Sequence, residues 1–227
     1  MDFVRQLSEW GFVPTETQLE RFERYYALLT EWNERFNLTA VTERDAVYQK
    51  HFADSLAGLR YMRGKVCDVG AGAGFPSLPL AIAANDVEFT LLDSVNKKVT
   101  FQTAVIEDLG LRNAKAVHIR AEDAGKGAYR GAFDVVTARA VAPIATLLEY
   151  LSPLAKTGGR VVVYKTNAEE EAASGRKAAE LLHLTLVETF DYTIEGAARC
   201  LLVYEKTAAT PSQYPRGGNK PRTAPLQ

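Results

Sequence analysis

The sequence predicts an α/β fold: a seven-stranded, mostly parallel sheet that ends in an antiparallel hairpin and carries an N-terminal helical extension. From residue 64 onward, short apolar strands alternate with helical segments, which is typical of a parallel sheet covered on both faces. The last two strands, "TLVETFDYTIEG" and "ARCLLVYEK", are joined by a glycine turn alone, so they must pair antiparallel. The first sixty residues show helical spacing instead.

Residues 1–62 are predicted to form the N-terminal helical extension. Thr15 and Gln18 have the spacing of a capping box, which marks a helix start. A second helix is expected to begin at Thr42 as its N-cap, with Asp45 at the third helical position. Between them, apolar side chains recur every three or four residues and are interpreted as core. This stripe consists of Leu19, Phe22, Tyr26, Leu29, Trp32 and Phe36.

Residues 63–206 carry the alternation of strands and helices. Pro76 is expected near a first helical turn, where its missing N–H costs nothing, and Gly110 is expected to end a helix as its C′ residue. Residues 207–227 are rich in proline, glycine and basic residues and have no acidic residue, which predicts a flexible basic tail. The other predicted strands are "KVCDVG", "VEFTLLDS", "AKAVHIRAED", "AFDVVTARAV" and "RVVVYK", and the helices are "FPSLPLAIAA", "NKKVTFQTAVIEDLG", "IATLLEYLSPLAK" and "AEEEAASGRKAAELLHL".

The overall composition argues against several classes of protein. The chain has 227 residues, of which 47% are hydrophobic and 24% charged, as in ordinary globular proteins. No apolar run has the length of a transmembrane helix, and the polar start is unlike a secretory signal, so a cytoplasmic protein without a membrane partner is predicted. The two distant cysteines argue against a metal site, and without heptads a monomer is expected. The net charge of −1 gives no general support for nucleic-acid binding.

The stretch "VCDVGAGAGFPSLPLAIA" places a glycine loop directly after a strand. A phosphate-binding loop would need a lysine after its last glycine, and none is present. A dinucleotide fingerprint would need a third glycine at the position of Phe75. Asp93 ends the next strand 23 residues after Gly70 and could hydrogen-bond both hydroxyls of a ribose. By itself the loop, with Gly70 and Gly72, indicates only a nucleotide-like ligand.

Asp68, just before the glycines, makes the pattern more specific. An acid there would repel a pyrophosphate but could pair with the ammonium group of an amino acid. Together with the glycine loop, Asp93 and the terminal hairpin, it is similar to the Rossmann-like class I S-adenosylmethionine methyltransferases. Two structural alternatives remain: Asp68 as an acid at a helix N-terminus or one that caps the loop, and Asp93 as the N-cap of the next helix.

Longer motifs carry a closer resemblance, and they follow one another from Asn37 to Pro221. The chain resembles the bacterial family that methylates guanine N7 in 16S ribosomal RNA of the small subunit, the glucose-inhibited division protein B family. The resemblance implies a methyltransferase fold, S-adenosyl-L-methionine as cofactor and the 16S rRNA of the small ribosomal subunit as partner. The motifs are "NLTAVTE", "KHFADS", "CDVGAGAGFPSLPLAI", "LLDSVNKKVTFQ", "RAED", "FDVVTARAVA" and "YPRGGNKP".

The resemblance also assigns cofactor contacts by position: Gly70 and Phe75 in the loop, Ala121 and Glu122 after the third strand, and Arg139 after the fourth. Phe75 would form an apolar wall near the sulfonium, and Ala121 and Glu122 would read the adenine edge. On the residues alone, Glu122 could equally lie in a solvated loop, and Arg139 could pair with Asp134 or another acid.

Guanine N7 carries its own lone pair, so methyl transfer to it needs alignment and desolvation rather than a base. We therefore expect no general base and name Arg139 as the candidate catalytic residue, holding a phosphate or guanine O6. Within enzymes a nicotinamide dehydrogenase is the alternative function. If the protein is not an enzyme, the alternative is a non-catalytic module that binds RNA or the ribosome.

Several basic residues are candidates for RNA contact. Lys97 and Lys98 lie in the first turn of a helix, where the dipole disfavours cations, so phosphate contact and a solvated face are both open. The second helix could line the cofactor mouth, or present a satisfied His51 beside an exposed Lys50–Asp54 pair. The tail could neutralise phosphates and stack a base, or be a disordered solubilising end. Its residues of interest are Tyr214, Arg216, Lys220 and Arg222.

Overall fold

Seven strands form one sheet in the computed structural model, which describes residues 3–139 and 142–226. The strand order is β3-β2-β1-β4-β5-β7-β6; β7 is antiparallel to both neighbours, and the remaining pairs are parallel. The predicted fold class is confirmed, including the terminal hairpin. The strands are β1 (Lys65–Val69), β2 (Glu88–Asp93), β3 (Ala114–His118), β4 (Phe133–Arg139), β5 (Ala155–Lys165), β6 (Leu184–Ile194) and β7 (Ala197–Lys206).

Helices cover both faces of the sheet and form the N-terminal extension. A π-helical turn, Tyr48–Ala53, lies between α3 and α4, and a 3₁₀ turn spans Leu59–Tyr61. Within the described ranges, no helix is both long and apolar enough to cross a bilayer. The helices are α1 (Phe3–Glu9), α2 (Glu16–Phe36), α3 (Arg44–Val47), α4 (Asp54–Leu56), α5 (Ser77–Ala83), α6 (Asn96–Asp108), α7 (Ala121–Lys126), α8 (Ile144–Leu151), α9 (Ala168–Leu181) and α10 (Lys220–Thr223).

Local capping signals correctly predicted one helix start and one helix end, and missed a second helix start by one residue. The Thr15 side chain accepts a hydrogen bond from the Gln18 backbone, and the reciprocal bond completes the predicted capping box. Gly110 has φ of +60° after α6, as expected for a C′ residue. The N-cap of α3 is Glu43 rather than Thr42, and its side chain makes no capping bond. Therefore the prediction at Thr42 was wrong by one residue.

Two apolar layers hold the elements together, one on each face of the sheet. The first layer packs the N-terminal helices, α5 and α6 on the sheet, and it includes the aromatic side chains of Tyr25, Phe52, Phe75 and Phe101. The second layer joins α7, α8 and α9 to the opposite face. The N-terminal helices thus share a core with the sheet and pack on one of its faces. The predicted boundary at residues 62 and 63 stays a prediction.

The C-terminal segment differs from its prediction as a flexible tail. Arg216 donates to the fully buried carboxylate of Glu149 on α8, with Nε–Oε1 at 2.9 Å and Nη2–Oε2 at 2.6 Å. Arg130 donates to the carbonyl of Tyr214 at 2.9 Å, and the ring of Tyr214 is buried. The composition of the segment did not show this docking, because its polar partner lies on a helix some 67 residues away in sequence.

Candidate active site

The candidate site lies at the carboxyl ends of β1, β2 and β4, where ligands bind in open α/β sheets. The loop after β1 turns through Gly70, Gly72 and Gly74, whose φ angles are +73°, +62° and +94°. A side chain at any of these positions would be strained in such a conformation. Gly70 and Gly72 therefore let bare backbone face a cavity of about 460 Å³, called the central cavity below, while Gly74 packs against Leu78 and Tyr25.

Asp93 fixes the loop to the end of β2. Its Oδ2 accepts the Gly72 N–H at 2.9 Å and its Oδ1 accepts the Val95 N–H at 2.9 Å. Gln102 holds the same glycine from α6, donating to its carbonyl at 2.8 Å. Asp93 lines the central cavity, and each carboxylate oxygen can accept a further hydrogen bond. The residue at the N-cap of α6 is Val95, so the predicted alternative of Asp93 as that N-cap is wrong.

Asp68 lies beneath the glycine loop rather than in the cavity. Its Oδ2 accepts the Ser77 N–H at 3.2 Å, while its buried Oδ1 has no hydrogen-bond partner among the described residues. Burial raises the pKa of this carboxyl to about 8. In the described part of the chain, Asp68 is not among the residues that line the site cavities. Its contact with a ligand ammonium group stays a prediction.

The raised pKa of Asp68 predicts a pH-dependent stability. Its folded pKa of about 8 lies above the unfolded value of about 3.9. Between these values the native state holds a proton that the unfolded chain releases, so stability falls as pH rises, by up to about 1.4 kcal/mol per pH unit for one proton. We expect Asp68→Asn to remove this contribution. Urea unfolding at pH 5, 6.5 and 8 measures it; parallel curves for wild type and variant would contradict it.

Arg139, at the end of β4, forms a buried ion pair with Asp54. Its Nη1 donates to Asp54 Oδ2 at 2.7 Å and to the Lys50 carbonyl at 3.0 Å, and its Nη2 is 3.2 Å from His51 Nδ1. Tyr192 donates to the other Asp54 oxygen at 2.8 Å. Lys50 and His51 belong to the π-helical turn, and Asp54 follows it directly. The hydrogen bonds of a π-helix join residues five apart, which changes the side chains that share one face of the helix. The guanidinium is thus fixed in orientation.

The pairing partners expected from the sequence are only partly found. An acid does pair with Arg139, but it is Asp54; Asp134 instead accepts the Lys65 N–H at 2.8 Å. The predicted Lys50–Asp54 pair is wrong, because Lys50 Nζ lies 3.1 Å from Glu195. Both differences follow from contacts between elements that are distant in sequence.

His51 is neutral at pH 7. Burial, with the charge of Arg139 as a second cause, lowers its pKa to about 4. His51 Nδ1 lies 3.2 Å from Arg139 Nη2, which can only donate, and 3.1 Å from the Lys50 carbonyl oxygen, which can only accept, so either tautomer satisfies one of these two contacts. Nε2 lies 2.8 Å from Thr39 Oγ1, a hydroxyl that can donate or accept. Arg139, Asp54 and His51 therefore form a group of one fixed cation, one compensating carboxylate and one neutral imidazole.

Phe75 supports this group from the glycine loop. The His51 ring stacks on it with centroids 4.5 Å apart, the Tyr25 ring stacks at 5.5 Å, and the Arg139 guanidinium lies 5.0 Å from its centroid. Phe75 is only 6% exposed, yet it lines the central cavity. Its position is compatible with the predicted apolar wall, and it also orients His51 and Arg139.

Two further cavities adjoin the central cavity and form a row with it. The α7 cavity, about 210 Å³, is lined by Ala121, Glu122 and Tyr150 and shares Gly70 and Asp93 with the central cavity. Ala121 and Glu122 begin α7, which the sequence did not predict: the strand expected to run through "RAED" ends at His118. Except for Asp68, every predicted cofactor residue lines the row: Gly70, Gly72, Phe75, Asp93, Ala121, Glu122 and Arg139.

The third member of the row, called the Tyr192 cavity, has a volume of about 410 Å³. It shares His51 and Arg139 with the central cavity, so these side chains form the boundary between the two spaces. The remaining lining residues are mainly cationic or aromatic: Lys50, Lys165, Arg199, Tyr164 and Tyr192. The sequence offered no signal for this cavity, because its walls come from β5, β6, β7 and the π-helical turn.

Of the two lysines at the start of α6, Lys98 lines the central cavity. Lys97 donates to the carbonyl of Phe36 at 3.2 Å and thereby satisfies the end of α2. Contact of either lysine with RNA stays a prediction.

The chain matches one protein-family model along residues 18–196, that of rRNA small subunit methyltransferase G. The chain belongs to this family. A relative in Macrococcus caseolyticus, named ribosomal RNA small subunit methyltransferase G, is 45% identical over 233 residues, covering 100% of this chain and 98% of its own. A relative of the same name in Streptococcus pyogenes serotype M4 is 43% identical, covering 99% and 98%. The resemblance stated from the motifs is confirmed.

A solved structure shows the same fold. Precorrin-6y C5,15-methyltransferase from Geobacter metallireducens aligns with a TM-score of 0.52 at 14% identity, over 73% of this chain and 90% of that chain. At this low identity the likeness concerns the fold alone. Together with the sheet order, it shows that the chain has a Rossmann-like fold.

Proposed function

We propose that the chain transfers a methyl group from S-adenosylmethionine to N7 of a guanine in the 16S rRNA of the small ribosomal subunit. Membership of the rRNA small subunit methyltransferase G family supports the class of substrate. The observation that carries the proposal is the row of three cavities across the ends of the strands, with His51 and Arg139 between the central and Tyr192 cavities. Such a row has space for a cofactor and an acceptor base side by side.

The residues of the α7 and central cavities fit an adenosyl cofactor. Leu92 and Ile119 give the α7 cavity apolar walls, while Glu122 and the backbone at Ala121 offer polar groups for an adenine edge. Asp93, with unused lone pairs on both oxygens, suits the two ribose hydroxyls. When bound, S-adenosylmethionine supplies a methyl group on a positively charged sulfur.

The amino-acid end of the cofactor is assigned to the glycine loop. Gly70 and Gly72 present backbone without side chains, and Asp68 beneath them has a buried oxygen without a partner. An ammonium group nearby, directly or through a water, would stabilise the ionised form of this carboxyl. Asp68 then helps to hold the cofactor while it also holds the start of α5.

The acceptor guanine is assigned to the Tyr192 cavity. Contacts to Asp54, Lys50 and His51 use three of the guanidinium N–H groups of Arg139, and an arginine has five. A remaining N–H can donate to guanine O6, which lies beside N7 on the same edge of the base. Holding O6 aims the N7 lone pair toward the central cavity without occupying it.

The charges of the site suit transfer to a neutral nitrogen. The positive charge passes from sulfur to the guanine ring during the reaction, so an additional uncompensated cation would oppose both states. Asp54 balances Arg139 at 2.7 Å, and the lowered pKa of His51, about 4, keeps its imidazole neutral at pH 7. Catalysis then rests on alignment and on exclusion of water.

Methyl transfer in vitro tests the proposed function. With radiolabelled S-adenosylmethionine, we expect transfer to 16S rRNA or to small subunits from cells that lack the protein. The protein should bind S-adenosylhomocysteine and not NAD. Binding of NAD alone would favour a dehydrogenase, and cofactor binding without transfer to either RNA substrate would favour a non-catalytic module.

The proposal further places the protein in the cytoplasm as a monomer. The location follows from its substrate, because bacterial ribosomal RNA is cytoplasmic. Sedimentation of the free protein at a mass of 25.0 kDa would agree with the monomer, and a mass of twice that value would contradict it.

A further inference from the structure

We infer that the C-terminal segment 214–226 forms one wall of the cofactor site and that Arg222 is a cofactor-binding residue. This inference rests on the proposed function, because it assumes an adenosyl group in the α7 and central cavities. Arg222 lines both cavities. It therefore lies at their junction, as does Asp93, which is expected to hold the ribose.

The segment is held by a buried anchor rather than by surface contacts. Glu149, on α8, has a fully buried side chain, and it accepts both the backbone N–H and the Nε–H of Arg216 at 2.8 and 2.9 Å. Arg216 also donates to the Ala224 carbonyl at 2.8 Å. This second contact ties the two ends of the segment together, so residues 217–223 form a closed turn above α8.

The residue that precedes Arg222 is fixed as well. Thr146, in α8, donates its hydroxyl to the Pro221 carbonyl at 2.7 Å, and this bond is buried. Pro221 and Leu226 are themselves buried. The backbone on both sides of Arg222 is therefore docked, while its own side chain is exposed at the cavity mouth. Such a side chain can move over a ligand without moving the segment.

The groups around Arg222 indicate what it would contact. Tyr150 lines the α7 cavity, and its pKa is raised by burial and by Glu122, while interactions with Arg222 lower it. Arg222 thus lies close to both polar groups of the adenine side. A planar guanidinium can lie on the face of an adenine ring or donate hydrogen bonds to ribose oxygens. Either contact would cover the adenosine and reduce its exposure to water.

Glu122 and Asp93 also give this cation an electrostatic reason to be present. Both carboxylates line the α7 cavity, and the adenosine part of the cofactor brings no positive charge to offset them. A guanidinium between the two cavities compensates their charge while leaving their outer lone pairs for adenine and ribose. An RNA phosphate is the competing ligand for an exposed arginine, and the test separates the two.

Binding of S-adenosylhomocysteine, measured by calorimetry, tests the inference with Arg222→Ala and the matched control Lys220→Ala in the full-length chain. Lys220 is exposed in the same short helix and lines neither cavity. We expect Arg222→Ala to raise the Kd about 10-fold, the size of a lost charge-assisted contact, and Lys220→Ala to change it less than twofold. Equal Tm values of the ligand-free proteins will show that both variants are folded.

Three results would overturn the inference. If the wild type does not bind S-adenosylhomocysteine, the proposed function fails and the inference with it. If the wild type binds and Arg222→Ala binds equally well, the inference alone fails. Unchanged cofactor binding together with weaker binding of a 16S rRNA fragment would assign Arg222 to RNA instead.

As a second readout, saturating S-adenosylhomocysteine should slow amide exchange in residues 214–226 of the wild type.

Discussion

Arg139→Ala is expected to lower kcat for methyl transfer about 100- to 1000-fold, the loss typical of a misplaced reacting group. The variant removes the guanidinium between the central and Tyr192 cavities, and with it the proposed contact to guanine O6. It also removes the contact of Nη2 with His51 Nδ1 at 3.2 Å. Single-turnover transfer to 16S rRNA at saturating cofactor measures the chemical step directly.

The control for this prediction is Arg199→Ala. Arg199 lines the Tyr192 cavity and approaches Asp54 at 3.9 Å, but its side chain is more exposed, 29% against 13% for Arg139. We expect kcat of the control to fall by less than about fivefold, as for the loss of a partly solvated charge. Arg139→Ala leaves the carboxylate of Asp54 buried without its main partner, which lowers the stability of the variant. The Tm of the variant must therefore be measured, and the assay run well below that temperature. A rate within fivefold of the wild type would contradict the role given to Arg139.

Arg216→Ala is expected to reduce the free energy of unfolding by about 3–5 kcal/mol, as when one partner of a buried ion pair is removed. The substitution leaves the carboxylate of Glu149 with no compensating charge at a position where its side chain is 0% exposed. The C-terminal segment would also lose its connection to α8. Equilibrium urea unfolding measures the stability, and limited proteolysis reports release of the segment.

Lys220→Ala provides the matched control, with an expected change within about 0.5 kcal/mol, as for most surface substitutions. The comparison separates two descriptions of residues 207–227. A flexible tail, as the composition indicates, predicts that Arg216→Ala is as harmless as the control. A docked segment predicts a large loss of stability and cleavage near residue 216 at low protease concentration.

The fold was predictable from the sequence because its main signals are local. Each buried strand is a short apolar run, and the glycine turn between β6 and β7 fixes their antiparallel pairing. Helix α7 was not predicted, since its six residues, AEDAGK, have no apolar periodicity. The π-helical turn was also missed. Nothing in its sequence, YQKHFA, distinguishes it from a turn of ordinary α-helix.

The candidate site was predictable where its chemistry lies in consecutive residues. The glycine loop and Asp93 line the central cavity as expected. The ion pair of Arg139 could not be found, since Asp54 is 85 residues away and several acids were equally suitable. One oxygen of Asp68 accepts the Ser77 N–H at the start of α5, which agrees with the alternative of an acid at a helix N-terminus, while its contact with the ligand stays a prediction. The docking of the C-terminal segment could not be predicted either. It depends on Glu149 being buried in α8, and no residue pattern in the sequence shows that burial.

Mapping the methylated atom is the most direct test of the central claim. Small-subunit RNA from cells that lack the protein is incubated with S-adenosylmethionine and either the wild type or Arg139→Ala. N7-methylguanosine is then located by chemical cleavage at the modified base and by mass spectrometry of nucleosides. We predict one new N7-methylguanosine in 16S rRNA with the wild type and almost none with the variant. Methyl transfer to another atom or base, or no transfer by the wild type, would contradict the proposed function.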